Sequence, residues 1–345
     1  MSEWSNIFNP FNSAKLFAHI DRWRERGYPV TVTVDPSNKC NLKCSWCNST
    51  SVTGSGKMLG DEDFNDILYT LNRWGTRAVC IAGGGEPMLN KGVGDFIELL
   101  CSLDIQSGVV TNGTIFNDSL QHCSWVGVSV DSASSETYKK IKGVDLFDKT
   151  CDNISKLSSI EDCNLSEQGR GRGVFLKYLL CPDNIHDVYD ACVLAKTLGC
   201  RGIHIRPVGT PWDSTDKIEF TKSMIETFKV HVEHARALED EEFSVYSVTH
   251  KFAENLQKNN DFKKCNAVYM NCVFSPEGVG LCCDRRGDSR LMLCDSFIDI
   301  PWGGSKHDEI FNAIDPIMCP RCTYAPHNRI YENAIEVDNM TIDFI

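Results

Sequence analysis

The sequence lacks any run of eighteen apolar residues, which excludes an ordinary membrane-spanning helix. Its N-terminal Met1-Ser-Glu-Trp-Ser lacks the charged-then-apolar order of a secretory signal. It carries no internal repeat. A cationic excess is missing too: 35 lysines and arginines face 47 acids, a net charge of −12, which disfavours general nucleic-acid binding and leaves room only for a local basic patch. These absences point to a soluble, cytoplasmic protein with no membrane partner. What is plentiful is cysteine, eighteen in 345 residues. In a reducing compartment that many thiols indicate metal ligation and free cysteines rather than disulfides. An apolar content of 42% is enough for a sizeable core, and the length suits a barrel-sized domain with an appendage.

Three of the cysteines, Cys40, Cys44 and Cys47, are spaced CxxxCxxC with Trp46 just before the third, directly after the alternating apolar segment Tyr28–Val34. Three thiolates suit a 4Fe-4S cluster that leaves one iron open to a chelating small molecule. A zinc knuckle is the plainer alternative, although zinc sites usually pair CxxC elements. Further strands are expected at 78–82, 107–111, 126–130, 174–180 and 202–207, with helices over 11–27, 62–71, 96–103 and 185–198 and a loop over 163–173. Six strands interleaved with helices predict a parallel α/β sheet, whose functional residues gather where the strands end.

At those ends stand Ala82-Gly-Gly-Gly-Glu-Pro-Met88, Thr111-Asn-Gly113 and Val128-Ser-Val-Asp131. The glycines allow close backbone approach, and Glu86 supplies an acceptor for an ammonium group. The fifth strand carries Lys177 and the sixth His204 and Arg206. Period-two geometry puts His204 and Arg206 on one face with Ile203 and Ile205 on the other. If the isoleucines face the helices, the cations face the barrel interior, where a charge needs a ligand or a partner. The plainer reading for these three is a structural ion pair or a solvated arginine at the strand end.

The cysteine spacing resembles the radical S-adenosylmethionine (radical SAM) signature, and the glycine turn resembles the motif that holds the methionyl amino group of SAM in that family. The resemblance implies a partial (β/α)6 TIM-like barrel, SAM on the open iron, and reductive cleavage to a 5'-deoxyadenosyl radical fed by an external donor such as flavodoxin or ferredoxin. It assigns Trp46, Gly84, Gly85, Glu86, Ser129 and Lys177 to cofactor binding.

Seven cysteines fall between Cys265 and Cys322, after a polar stretch over 217–264 expected to be helical and to end the barrel. A hairpin is expected from 268–274 to 279–283 across Ser275-Pro-Glu-Gly278, followed by the CxxC pair Cys319 and Cys322. Cys265, twelve residues, Gly278, four residues and Cys283 resemble the start of the auxiliary-cluster pattern of SPASM and twitch domains. That resemblance implies an auxiliary 4Fe-4S cluster on Cys265, Cys283, Cys319 and Cys322. Cys282 is the alternative to Cys283, Cys272 and Cys294 are either ligands or free thiols, and a zinc ribbon is the rival. The expected domains are a helical extension over 1–27, the barrel over 28–240 and a Cys-rich twitch-type domain over 241–345.

The whole arrangement resembles the radical SAM dehydrogenases of aminoglycoside biosynthesis. It implies oxidation of a secondary alcohol in a small-molecule sugar or aminocyclitol, with Arg206 or His204 holding or deprotonating the hydroxyl. A carbohydrate epimerase returning hydrogen from Cys272, Cys282 or Cys294 stays open. So does a peptide-modifying maturase, although the segment ahead of the first strand is short for a fused leader-recognition domain. An iron-sulfur redox sensor accounts for the cysteines but not for the glycine turn.

Overall fold

The computed structural model describes residues 13–161, 172–209, 219–248, 252, 260–319 and 322–336. Strands β1 (Thr31–Val34), β2 (Ala78–Ile81), β3 (Gln106–Thr111), β4 (Trp125–Ser129), β5 (Gly173–Leu180), β6 (Gly202–Pro207) and β7 (Ser244–Ser247) pair in parallel in chain order. Alternation sets their two faces. Val32, Val34, Val79, Ile81, Val126, Val128, Leu176, Ile203 and Ile205 are buried in the core shared with the helices, and the residues between them face the lumen of a partial barrel.

The helices are α1 (Ser13–Arg26), α2 (Thr50–Thr53), α3 (Asp61–Trp74), α4 (Val93–Ser102), α5 (Ser135–Lys142), α6 (Phe147–Ser158), α7 (Val188–Thr197), α8 (Lys222–Ala235), α9 (Ser305–Ala313) and α10 (Ala325–Ile330). No described helix is long and apolar enough to cross a membrane. All six expected strands are present, and so are the expected helices; the one expected to open at Ile185 begins as a 3-10 turn over Ile185–Asp187 before α7. The loop expected over 163–173 lies outside the described residues up to 171, and Gly173 opens β5.

The polar stretch after α8 is not helical throughout. It contains β7, so the parallel sheet runs past the expected boundary at 240. Of the β7 side chains only Val245 is buried, which leaves too little apolar alternation to signal a strand. The C-terminal segment joins the same sheet at its other edge. Strand β8 (Val273–Ser275) lies parallel to β1, and β9 (Gly278–Gly280) and β10 (Met292–Cys294) continue antiparallel. The first arm of the expected hairpin is shorter than its sequence suggests, because Asn266–Tyr269 forms a 3-10 turn. The result is a ten-stranded sheet ordered β10-β9-β8-β1-β2-β3-β4-β5-β6-β7.

Candidate active site

The loop after β1 carries Cys40, Cys44 and Cys47, and three neighbouring elements hold it. From the β2 end, Gly85 N–H donates to the Ser37 carbonyl (2.8 Å) and Glu86 N–H to that of Lys39 (2.7 Å). From the β3 end, the Asn112 amide donates to Asn41 Oδ1 (2.8 Å), and the Asn41 amide in turn to Thr114 (2.8 Å). At the C-terminus of α5, the carbonyls of Lys142 and Ile141 accept from Lys43 N–H and Ser45 N–H (both 2.9 Å), one on each side of Cys44. These are helix-terminal carbonyls with no intrahelical donor, so the same bonds finish the helix and clamp the loop.

Burial pushes the Cys44 thiol up to about 11, and Cys40 and Cys47 lie close enough to add to the rise. Cys40 is raised as well, chiefly by desolvation. The indole N–H of Trp46 is buried without an acceptor among the described residues. Three thiols on one loop beside an orphaned donor fit an iron-sulfur cluster. Among the described residues no three His, Cys, Asp or Glu side chains converge on a single ion; a 4Fe-4S cluster asks only that each thiolate reach its own iron.

The glycine turn packs directly against the cysteine loop. A Cβ on Gly85 would stand 2.0 Å from the Lys39 carbonyl oxygen, and one on Gly84 would stand 2.4 Å from a Val52 methyl. Glycine is therefore demanded here by the approach of the cysteine loop itself. The Glu86 side chain is 2% exposed and turned inward. It accepts from Thr111 Oγ1 (2.5 Å), Asn112 N–H (2.7 Å) and Met88 N–H (3.1 Å), while burial raises its pKa against these bonds. Its carboxylate thus ties the ends of β2 and β3 together.

Ser129, Lys177, His204 and Tyr246 form one lateral row across β4–β7, all half-buried on the lumen side. Lys177 Nζ lies 3.3 Å from His204 Nδ1 and 5.4 Å from the centroid of Trp125, and the His204 and Tyr246 rings meet edge-on at 6.3 Å. Burial, with Arg206 nearby, lowers Lys177 to about 8. Arg206 is exposed, two residues along the same face as His204.

Behind Cys44 lies a buried ion pair that the sequence reading did not pick out. Lys142 Nζ is 2.5 Å from Asp131 Oδ2, and the other carboxylate oxygen accepts from Leu179 N–H at 2.6 Å. Asp131 sits at φ 60°, a left-handed conformation that aspartate tolerates better than most residues. Cys80 was missed as well. It points into the lumen from β2 and feels the charges of Asp35, Arg286 and Lys177, its only sequence signal being its place between Val79 and Ile81.

The C-terminal thiols Cys265, Cys282, Cys319 and Cys322 lie near enough to feel one another's charge, without three of them converging on a single ion among the described residues. Cys322 is raised chiefly by burial and also by the charges of Cys265, Asp284 and Cys282, and Cys265 feels Cys319. Cys283 is raised chiefly by burial and feels Asp284 and Cys282, with Arg286 and Asp35 also near. Cys272 is fully buried in the core beneath β8, while Cys294 bonds the Ser296 carbonyl at 3.3 Å. Two polar contacts fasten this region to the first cysteine loop. The Asn38 amide donates to both oxygens of Glu277 (2.8 and 2.9 Å), and Arg286 pairs with the buried Asp35.

A parallel partial barrel with a cysteine-triplet loop after its first strand and a glycine turn after its second is similar to a radical SAM domain. In agreement, the Radical SAM superfamily model matches residues 34–161, from the end of β1 through α6. Over that segment the chain is similar to the radical SAM superfamily, a likeness that implies a 4Fe-4S cluster and SAM as cofactors.

Among curated proteins the chain is similar to a "Probable GTP 3',8-cyclase" of Saccharolobus islandicus (strain M.14.25 / Kamchatka #1), 28% identical over 199 residues. The match takes in 55% of this chain and spans 61% of that relative's length. Among solved structures it is similar to Streptococcus suis SuiB bound to precursor peptide SuiA, with a TM-score of 0.60 and 14% identity over 88% of this chain and 69% of that one. It is also similar to anSMEcpe with bound AdoMet and Cp18Cys peptide, with a TM-score of 0.60 and 16% identity over 87% and 88% of the two chains. At these identities the two structures speak to the fold.

Proposed function

We propose that the protein is a radical SAM oxidoreductase that oxidises a secondary alcohol of a carbohydrate-like small molecule, with an auxiliary 4Fe-4S cluster in its C-terminal region. The observation that carries this reading is the nearness of four half-buried thiols beside the barrel, in a region fastened to the first cysteine loop through Asn38–Glu277 and Asp35–Arg286. When bound, SAM and the first cluster supply hydrogen abstraction, and the auxiliary cluster supplies an acceptor for the second electron.

The chain's own residues would do the rest. Cys40, Cys44 and Cys47 hold the first cluster. Cys265, Cys282, Cys319 and Cys322 hold the second, with Cys282 preferred to Cys283 because it lies with Cys265 and Cys322. Ser129 and the backbone of Gly84 and Gly85 face SAM, with the Trp46 indole N–H as a donor beside the cluster. His204 takes the hydroxyl proton, and Arg206 hydrogen-bonds the hydroxyl oxygen, since arginine stays protonated.

A second reading is a cyclase acting on a nucleotide. It rests on the similarity to the GTP 3',8-cyclases, which this chain matches over 61% of their length. Anaerobic reconstitution separates the readings. The dehydrogenase predicts about eight irons per chain and ketone formed in step with SAM consumption. With Cys319→Ala and Cys322→Ala, SAM cleavage should persist while ketone is lost. Zinc at the C-terminal thiols, or a cyclised product from GTP, overturns it. Inversion with solvent deuterium entering the product marks an epimerase, for which Cys80 is the lumen-facing thiol.

A further inference from the structure

Asn328 sits on α10, where it shares the buried face with Ala325 one turn earlier and is 0% exposed. Only half of its amide is used. Oδ1 accepts from Ala267 N–H at 2.8 Å, which fixes the amide in place, yet Nδ2 is buried without an acceptor among the described residues. A buried N–H group without an acceptor costs free energy, so an enclosed one beside a set of thiols points to a group that completes it. The thiol it reaches is that of Cys265, the N-cap of the 3-10 turn Asn266–Tyr269. Burial and then Cys319 raise this thiol, while Val268 N–H, the Asn328 side chain and Ala267 N–H act against them. Such donors favour a charged sulfur, the form that ligates iron. The placement of α10 is imposed from the far end of the chain. His19 and Trp23 of α1 meet His327 and Tyr331 edge-on, with ring centroids 5.3 and 5.5 Å apart.

We propose that Asn328 donates its Nδ2–H to the Cys265 sulfur of the auxiliary cluster and so raises that cluster's reduction potential, as a positioning residue that acts through the cluster. The inference rests on the auxiliary-cluster reading. In that reading the substrate radical, having released its hydroxyl proton, passes one electron to the cluster and becomes the ketone, and the cluster gains one negative charge. A donor bonded to a cluster sulfur stabilises the more negative state. Asn328 therefore favours acceptance of that electron.

The test is potentiometric titration of the reconstituted full-length protein followed by EPR, the auxiliary wave being the one whose signal does not change when SAM is added. Asn328→Leu, which nearly keeps the volume and removes the donor, should make reduction of that cluster about tenfold less favourable, a fall of about 59 mV for one electron. The SAM-sensitive wave and the iron content should stay as they are. Incorporating the heavier nitrogen isotope into the asparagine side chains supplies a readout that a purely structural role would not give: pulsed EPR of the reduced auxiliary cluster should show a coupling to that nitrogen in the natural chain and lose it in Asn328→Leu. An unshifted or raised potential, or no nitrogen coupling in the natural chain, overturns the role of Asn328 and leaves the auxiliary cluster standing. Zinc at these thiols, or a single reduction wave, overturns the cluster and this inference with it. If Asn328→Leu fails to keep its second cluster, the nitrogen coupling in the natural chain decides.

Discussion

Lys177 shows how a single side chain becomes unusual through its neighbours. Burial and the nearby Arg206 guanidinium lower it from its ordinary 10.5 to about 8. The folded protein therefore gives up this proton near pH 8, whereas the unfolded chain keeps it until near 10.5. Between those values the unfolded state binds more protons, so this residue's contribution to stability rises with pH through the window and is lost as pH falls through 8. Lys177→Met should accordingly be more stable than the natural chain at pH 7 in urea unfolding, and the advantage should shrink toward pH 10. An advantage independent of pH would mean that the lysine is already neutral or well solvated in the fold. The sequence places Lys177 on the lumen face by alternation alone. It does not give the inward role of Glu86, because the donors from Thr111 and Asn112 come from another strand end, 25 and 26 residues away along the chain.

At the scale of elements, α5 is one of the helices absent from the sequence expectations, as are α2, α6, α9 and α10. It is eight residues long, and strongly polar apart from Tyr138 and Ile141. Its signals are nonetheless present: Ser134 caps its start by accepting from Thr137 N–H, and Gly143 closes it at φ 73°. Its function depends on tertiary contact, since its last two carbonyls grip the backbone around Cys44 and its last side chain, Lys142, makes the buried pair with Asp131. Removing one member of such a pair strands the other charge, so Lys142→Met should cost about 3–5 kcal/mol in urea unfolding. Adding Asp131→Asn should recover part of that loss, because the stranded carboxylate is removed. Equal losses in the single and double variants would show that backbone clamping, and not the charge pair, holds the element. The six expected strands were legible for the opposite reason: most bury alternate valines, leucines or isoleucines against helices, a local pattern that needs no knowledge of partners.

At the scale of the whole molecule, the C-terminal region is part of the sheet and not a separate appendage. Thr33 N–H and Asp35 N–H donate to the carbonyls of Cys272 and Phe274 (2.9 and 2.8 Å), and Phe274 packs 6.0 Å from Trp74. Sequence patterns could suggest a second cysteine cluster, yet pairing between strands about 240 residues apart leaves no local trace. Ending the chain after Lys264 should bare the outer edge of β1 and the apolar surface around Trp74. Size-exclusion chromatography should then find aggregate where the full chain gives a discrete species; a discrete, soluble fragment would show that the barrel closes without β8. The parallel pairing of β1 with β8 also imposes an order of events during synthesis. The strand that leads into the first cysteine loop leaves the ribosome about 240 residues before its outer partner. Throughout the translation of the barrel the loop therefore stays uncovered on that side, leaving an interval in which iron and sulfide can be delivered before Arg286 and Glu277 arrive to seal it.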